Sequence, residues 1–207
     1  MTDAWGNLYV MSAPSGTGKT TLVKTLVGSM SNITVSISHT TRDKRPAETD
    51  GVNYYFTNKE AFTQMVERDE FLEHATVFEN FYGTSRLWVE EMLKQGTDVI
   101  LEIDWQGCQQ IQQTMPNTVS IFILPPSLEA LSHRLTQRNQ DHPEVIRQRL
   151  ADAQATVTHV NEYDYIVVND DFDTAVNELK AIVLAGRLRK QRQLHELSAL
   201  ISELTAS

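Results

Sequence analysis

Four short, largely apolar runs punctuate the chain, at 8–12, 99–103, 120–124 and 165–169, each followed by turn residues and a helical pattern. Continuous rather than alternating apolarity predicts strands buried on both faces, the habit of a parallel sheet with helical crossovers. The first crossover helix is expected from Gly18 or Lys19 to about Gly28, with Leu22, Val23, Leu26 and Val27 on one face and the glycine as its stop. A second is expected at 106–115, closed by Pro116.

Two stretches break this rhythm. Residues 36–84 read as strand fragments (35–38, 54–57 and 71–81) around one helix opened by Asn58, with Phe62, Met65 and Val66 as its apolar stripe. After Pro125 and Pro126 comes a helix, a polar stretch at 138–142, and another helix entered through Asp141, Pro143 and Glu144. Polar, hinge-bounded segments of that kind often move. The expectation is therefore an α/β fold of one domain: a three-layer core of parallel sheet flanked by helices (about 8–36, 88–125 and 156–207), a small β-rich insertion (about 37–87) and a helical lid (about 126–155). From Asp173 onward the chain reads as one long helix or two broken near Gly186. Its stripe of Leu194, Leu197, Leu200, Ile201 and Leu204 either packs on the chain's own core, the favoured reading, or joins a second copy as a homo-oligomer. The run 187–192 reads as a solvated face.

Composition narrows the partners. The 207 residues include 41% apolar and 22% charged, and 18 basic against 27 acidic side chains give a net charge of −9. That is an ordinary globular balance and excludes disorder. A surface this acidic argues against nucleic acid and anionic membranes, so a phosphate ligand needs a local basic island. Cys108 is a single cysteine, which fits a reducing compartment. Residues 1–8 show neither a basic nor an apolar leader pattern, and no stretch approaches the roughly 20 apolar residues of a membrane span. The chain reads as cytoplasmic.

Directly after the first apolar run stands Ala13-Pro14-Ser15-Gly16-Thr17-Gly18-Lys19-Thr20, followed by Thr21. This is the phosphate-loop pattern, with alanine in place of the first glycine, in the strand-to-helix setting the motif requires. Gly16 and Gly18 let backbone N–H groups turn inward at a helix N-terminus and form a nest for anionic oxygens. Lys19 then reaches the β- and γ-phosphates of a nucleoside triphosphate, and Thr20 offers a hydroxyl toward Mg²⁺.

The basic island follows at 38–46, Ser-His-Thr-Thr-Arg-Asp-Lys-Arg-Pro. Arg42 and Arg45 can present two planar forks to one phosphate monoester, with Tyr54 and Tyr82 completing the pocket, although taken alone such arginines also read as surface residues. In this island, and in residues 51–54, 71–73, 81–85, 103–107, 122–126 and 168–171, the chain resembles guanylate kinases of the bacterial type, in order and with matching spacings over about residues 8–190. The resemblance implies transfer of the γ-phosphoryl group of ATP to GMP with Mg²⁺, with dGMP a further candidate acceptor. It implies that Arg42, Arg45, Tyr54 and Tyr82 hold the GMP phosphate, and that Ser38, Glu73, Thr84 and Asp104 read the guanine. It also implies transition-state arginines from the lid, Arg134, Arg138 and Arg149, an adenine-side contact at Asn169, and Glu102 beside Thr20 at the metal. Guanine chemistry agrees: its adjacent N1–H and N2 donors suit a carboxylate, whereas adenine's N1 offers a lone pair.

Two departures from the family pattern bear on mechanism. Glu102-Ile103-Asp104 stands where Asp-x-Asp is usual, lengthening the first carboxylate by one methylene. Gln137-Arg138-Asn139 stands where Gly-Arg-Gly is usual, which predicts a stiffer lid turn. Rival readings are a phosphate-loop kinase with another small acceptor, and a non-catalytic interaction module. The intact Gly16, Gly18, Lys19 and Thr20 speak against the second.

Overall fold

Every residue of β1 (Leu8–Ser12) is buried, because it lies in the middle of a five-stranded sheet. In this computed structural model residues 6–77, 79–137 and 143–206 are described. The sheet runs β2-β7-β1-β8-β9, with β2 Ile33–Val35, β7 Asp98–Glu102, β8 Val119–Leu124 and β9 Tyr165–Val168, and every pairing is parallel. Alternation along the strands splits the core into two layers. Tyr9, Met11, Ile100, Ile121 and Ile123 pack against α1 (Lys19–Gly28) and α7 (Phe172–Arg187) through Leu22, Leu26, Val176 and Leu179. Val10, Val99, Leu101 and Phe122 face α3 (Arg86–Lys94) and α4 (Trp105–Thr114) through Val89, Leu93 and Ile111. Helices on both faces are what continuous apolar strands require.

Four further strands form a separate sheet in the order β4-β3-β6-β5: β3 His39–Thr40, β4 Tyr55–Phe56, β5 Phe71–Val77 and β6 Asn80–Ser85. Helix α2 (Lys59–Glu67) lies between β4 and β5, and the Asn58 side chain caps it by accepting from the Ala61 N–H at 2.8 Å. Helices α5 (Leu128–Gln137) and α6 (Pro143–Val157) form the second insertion, joined through Leu131, Leu135 and Ala153. The chain returns to β9 through a 3-10 turn at Val160–Glu162 and ends in α8 (Lys190–Glu196) and α9 (Ser198–Thr205). Among the described residues no helix is long and apolar enough to cross a membrane.

Several expectations shift. The fragment at 35–38 forms earlier, as β2, and joins the central sheet beside β7. The single stretch at 71–81 is one arm and the turn of an antiparallel hairpin, reversing near Glu79 at φ +64°. β9 is an edge strand in which Val167 is buried while Tyr165, Ile166 and Val168 are exposed. Helix α1 ends at a Ser29 cap with negative φ, so Gly28 provides no left-handed stop. The tail does break near Gly186, one of the two arrangements expected: α7 ends at Arg187 and α8 starts at Lys190, while Gly186 itself lies buried inside α7, where a Cβ would strike the Tyr9 hydroxyl. The run 187–192 is solvated only in its middle: residues 188–191 are exposed, whereas Arg187 and Arg192 both grip the fully buried Asp98, at 2.7 and 2.6 Å. The tail stripe does not pack on the chain's own core, because all five of its residues are exposed.

Candidate active site

The phosphate loop leaves the C-terminal end of β1, and its shape is held from outside. Gly18 sits at φ +97°, and a Cβ there would lie 2.7 Å from the Asn169 amide nitrogen. Both constraints demand glycine. Asn169 Nδ2 donates to the Thr17 carbonyl at 2.7 Å, and Arg134 donates through Nη1 to the same carbonyl at 3.2 Å and through Nη2 to the Asn169 carbonyl at 2.9 Å. Because a peptide is planar and trans, anchoring the Thr17 carbonyl toward Asn169 sends the Gly18 N–H the opposite way. Gly16 also takes positive φ, at +91°, with Leu135 of α5 against its α-carbon. Ala13 and Pro14 lead into the loop, Ser15 is exposed at its tip, and Thr21 N–H closes the first turn of α1 on the Gly18 carbonyl at 3.1 Å.

Charge gathers beside the loop. Burial pushes the Lys19 ammonium below its ordinary value, while the carboxylates of Glu102 and Asp104 pull it back up. Thr20 Oγ1 donates to Glu102 Oε2 at 2.9 Å. These two hard oxygen donors, at the mouth of the loop, suit a Mg²⁺ ion that keeps most of its other ligands from water and phosphate.

The second sheet carries Glu73, Tyr82 and Thr84 on one face. Thr40 pairs with Tyr82, and Glu73 with Thr84. Tyr82 and Thr84 are two apart on β6 and so point the same way, about 7 Å from each other. Around Tyr82 stand Tyr54, its ring 5.9 Å away, and the Arg42 guanidinium, 5.4 Å from the Tyr54 ring. Around Thr84 stands Glu73, only 3% exposed, whose Oε1 accepts from Thr84 Oγ1 at 2.6 Å. Burial pushes the Glu73 carboxyl up to about 7; the Thr84 hydrogen bond opposes this and the nearby Asp104 charge adds to it. Asp104 Oδ1 accepts from the Gly107 N–H at 3.0 Å and caps α4. Ser38 enters β3, its carbonyl accepting from Tyr55 N–H at 2.9 Å.

The structure thus assembles Lys19, Thr20, Glu102 and Asp104 at the sheet end, Arg134 and Asn169 behind the loop, and Arg42, Tyr54 and Tyr82 in a cluster. Arg45 is exposed beside that cluster, its charge acting on Glu48, the partner of Arg42. Arg149 stands on α6, and Arg138 and Asn139 lie outside the described residues, as do Asp141 and residues 1–5. Sequence reasoning missed Glu48, whose Oε1 pairs with Arg42 Nη2 at 2.7 Å and whose Oε2 accepts from Arg45 N–H at 2.9 Å. The signal available was an acidic residue three positions after Arg45 in a basic loop. A cavity of about 220 Å³ lined by Ser36, Ile37, His39, Tyr55, Ser85 and Trp88 opens on the reverse of this sheet, since His39 alternates with Thr40 and Ser85 with Thr84.

Comparison with known proteins identifies the family. A family profile described as Guanylate kinase matches residues 5–185. The chain is 55% identical over 199 residues to a guanylate kinase of Saccharophagus degradans, covering 96% of this chain and 97% of the relative. It is 54% identical over 205 residues to a guanylate kinase of Escherichia coli K12, covering 98% and 99%. The crystal structure of guanylate kinase from Anaplasma phagocytophilum superposes with a TM-score of 0.78 at 36% identity, covering 95% of each chain.

Proposed function

The chain belongs to the guanylate kinase family, and from that premise we propose how its own residues divide the work of the reaction. The reaction is ATP-dependent phosphorylation of GMP, giving ADP and GDP, in purine nucleotide metabolism. In our reading residues 13–21 bind the triphosphate, with Lys19 on the β- and γ-phosphates and Asn169 on the adenine side. Arg42, Arg45, Tyr54 and Tyr82 hold the GMP phosphate, and Ser38, Glu73, Thr84 and Asp104 read the base.

The observation that carries this reading is the pairing of a buried carboxyl with a hydroxyl about 7 Å along one strand face from a phenol and guanidinium cluster. That span matches a nucleoside monophosphate laid with its phosphate at Tyr82 and its base at Glu73. A carboxylate accepts both the N1–H and N2–H of guanine, whereas adenine presents a lone pair there and leaves a buried charge unpaired.

Phosphoryl transfer asks for positioning and charge neutralisation rather than covalent help, so no general base is assigned. Arg42 presently donates to Glu48 and to the Asp43 carbonyl at 2.7 Å, so an incoming phosphate displaces or shares those partners. Mg²⁺, held by Thr20 and Glu102, supplies neutralisation of the phosphate oxygens when bound. Arg134, Arg138 and Arg149 meet the charge of the transferred group; Arg134 now holds the Thr17 and Asn169 carbonyls and has to exchange them for phosphate oxygens to do so. Closing α5 and α6 over the donor excludes water and protects ATP from hydrolysis. The exposed stripe of α8 and α9 pairs with a second copy of the chain, and the unpaired, buried Cys108 is in keeping with a cytoplasmic setting.

Isothermal titration tests the base-reading claim. GMP is expected to bind at least about 100-fold more tightly than AMP, and Glu73→Gln to remove most of that preference. Equal affinities for the two purine monophosphates overturn it.

A further inference from the structure

Helix α4 carries two stripes of contacts that face different parts of the molecule. On one, Gly107 lies so close to Glu73 that a Cβ would fall 2.5 Å from Oε2. One turn on, Gln110 exchanges two hydrogen bonds with the backbone of His74, at 3.1 and 2.9 Å, so this stripe is bolted to β5 of the acceptor sheet. On the other, Trp105, Gln109 and Gln112, spaced four and three apart, line one face of the helix. Trp105 stacks flat on His159, with ring centroids 3.8 Å apart and planes 6° apart. Gln109 donates to Glu162 Oε2 at 2.8 Å, and Gln112 to the Glu162 carbonyl at 3.0 Å. His159 Nδ1 and Glu162 Oε1 meet at 2.7 Å and tie this foot together.

The foot is the segment immediately after α6. Beyond it the chain is pinned, since Asp164 accepts from Ser120 N–H and Oγ at 2.8 and 2.9 Å. Helix α6 packs on α5 through Leu131, Leu135 and Ala153, and α5 in turn reaches the phosphate loop through Arg134 on the Thr17 carbonyl and Leu135 against Gly16. Contacts therefore run without a gap from the Glu73 carboxyl through α4, His159, α6 and α5 to the loop that takes the triphosphate. A helix with close-packed contacts on two sides moves as a unit, because packed interiors do not yield continuously.

We propose that α4 couples occupancy of the acceptor sheet to binding of ATP, with Trp105, Gln109 and His159 as positioning residues. It rests on the assignment of Glu73 and Asp104 to the guanine. A base seated on those carboxylates fixes the first turn of α4, because Asp104 caps that turn and Glu73 leaves Gly107 no slack. Trp105, next in the chain to Asp104, carries that constraint to His159 and hence to the placement of α6 and α5 over the donor. None of the three positioning residues needs to touch either nucleotide.

The test measures GMP affinity by isothermal titration with and without a non-hydrolysable ATP analogue and Mg²⁺. By reciprocity the same factor must appear when the analogue is titrated with and without GMP. The wild-type protein is expected to show mutual tightening of about tenfold, within the usual range of coupling between sites. In Gln109→Met and in His159→Ala that factor is expected to fall to about twofold or less while each nucleotide alone binds within about twofold of wild type. His159→Phe, which keeps a ring on Trp105, is expected to restore much of it. Kinetically, the KM for GMP at saturating ATP rises in the two disruptive variants, and at low ATP it does not. Unchanged coupling in Gln109→Met overturns the proposal, as does an absence of coupling in the wild type or an equal loss of both separate affinities. Should His159→Ala fail to fold, Gln109→Met decides. Loss of purine preference failing to follow Glu73→Gln sinks the guanine assignment instead, and is read separately.

Discussion

At the scale of single residues, Glu73 shows how burial converts an ordinary side chain into a discriminating one. Its carboxyl is held at about 7, against an ordinary value of 4.5, chiefly by desolvation. The free site is thus mostly protonated below pH 7, whereas accepting two guanine donors requires the carboxylate. GMP affinity is expected to fall about tenfold between pH 8 and pH 6, with guanosine used in parallel so that the ligand's own phosphate does not titrate. Glu73→Gln should abolish that slope for guanosine; a slope that survives the substitution assigns the titration elsewhere. The same shift affects stability with the opposite sign. A folded-state value raised above the unfolded one contributes stability that is full below about pH 4.5 and is lost as pH rises to about 7, up to about 3 kcal/mol. Lys19, Gly16 and Gly18 were recognisable in the sequence because a phosphate loop is local: spacing alone brings its groups together. Glu73 taken alone was not, since a strand glutamate is as often solvated, and only the hairpin pairing with Thr84 and the approach of α4 bury it.

At the scale of elements, local caps were only partly read. Asn58, Ser85, Asp104 and Asp171 each cap a helix with a side-chain oxygen within three residues, yet of these only Asn58 was recognised, because a lone Ser or Asp reads equally as a turn or site residue. The end of α7 is a tertiary matter. Gly186 lies against Tyr9, and Arg187 and Arg192 converge from the two sides of the helix break onto Asp98 at the start of β7. Asp98 Oδ1 also accepts from the Asn7 N–H at 2.7 Å. A fully buried carboxylate clamped by two guanidinium groups is costly to break from one side. Asp98→Asn is expected to lower unfolding stability by about 3 kcal/mol, read as a fall in the urea midpoint, and to open the 188–190 junction to proteolysis. A midpoint unmoved by the substitution shows that the clamp contributes no net stability.

At the scale of the whole molecule, the tail exposes Leu194, Leu197, Leu200, Ile201 and the 76%-exposed Leu204 on α8 and α9, beyond the Asp98 clamp. These residues share one side of the two helices, and the association proposed for them is tested by oligomeric state. Sedimentation is expected to show a species larger than one chain, reduced to a monomer by Leu200→Glu with Leu204→Glu while kcat at saturating substrate changes little. A wild-type monomer at micromolar concentration rules the association out.

The chain's own pattern was enough to determine the parallel α/β core, the phosphate loop, the β-rich insertion and the helical segments after Pro126, because each is written in contiguous residues as a period, a cap or a motif. Tertiary structure alone decided that Ile33–Val35 joins the central sheet, that Arg187 and Arg192 serve a buried aspartate, that Glu48 answers Arg42, and that α4 stands bolted to both the acceptor sheet and the foot of α6. The physical reason is that burial and pairing depend on which groups the fold brings together: the partners are tens of residues apart in the sheet, the aspartate clamp and the α4 contacts, and six apart for Arg42 and Glu48, where the loop's shape selects the pair.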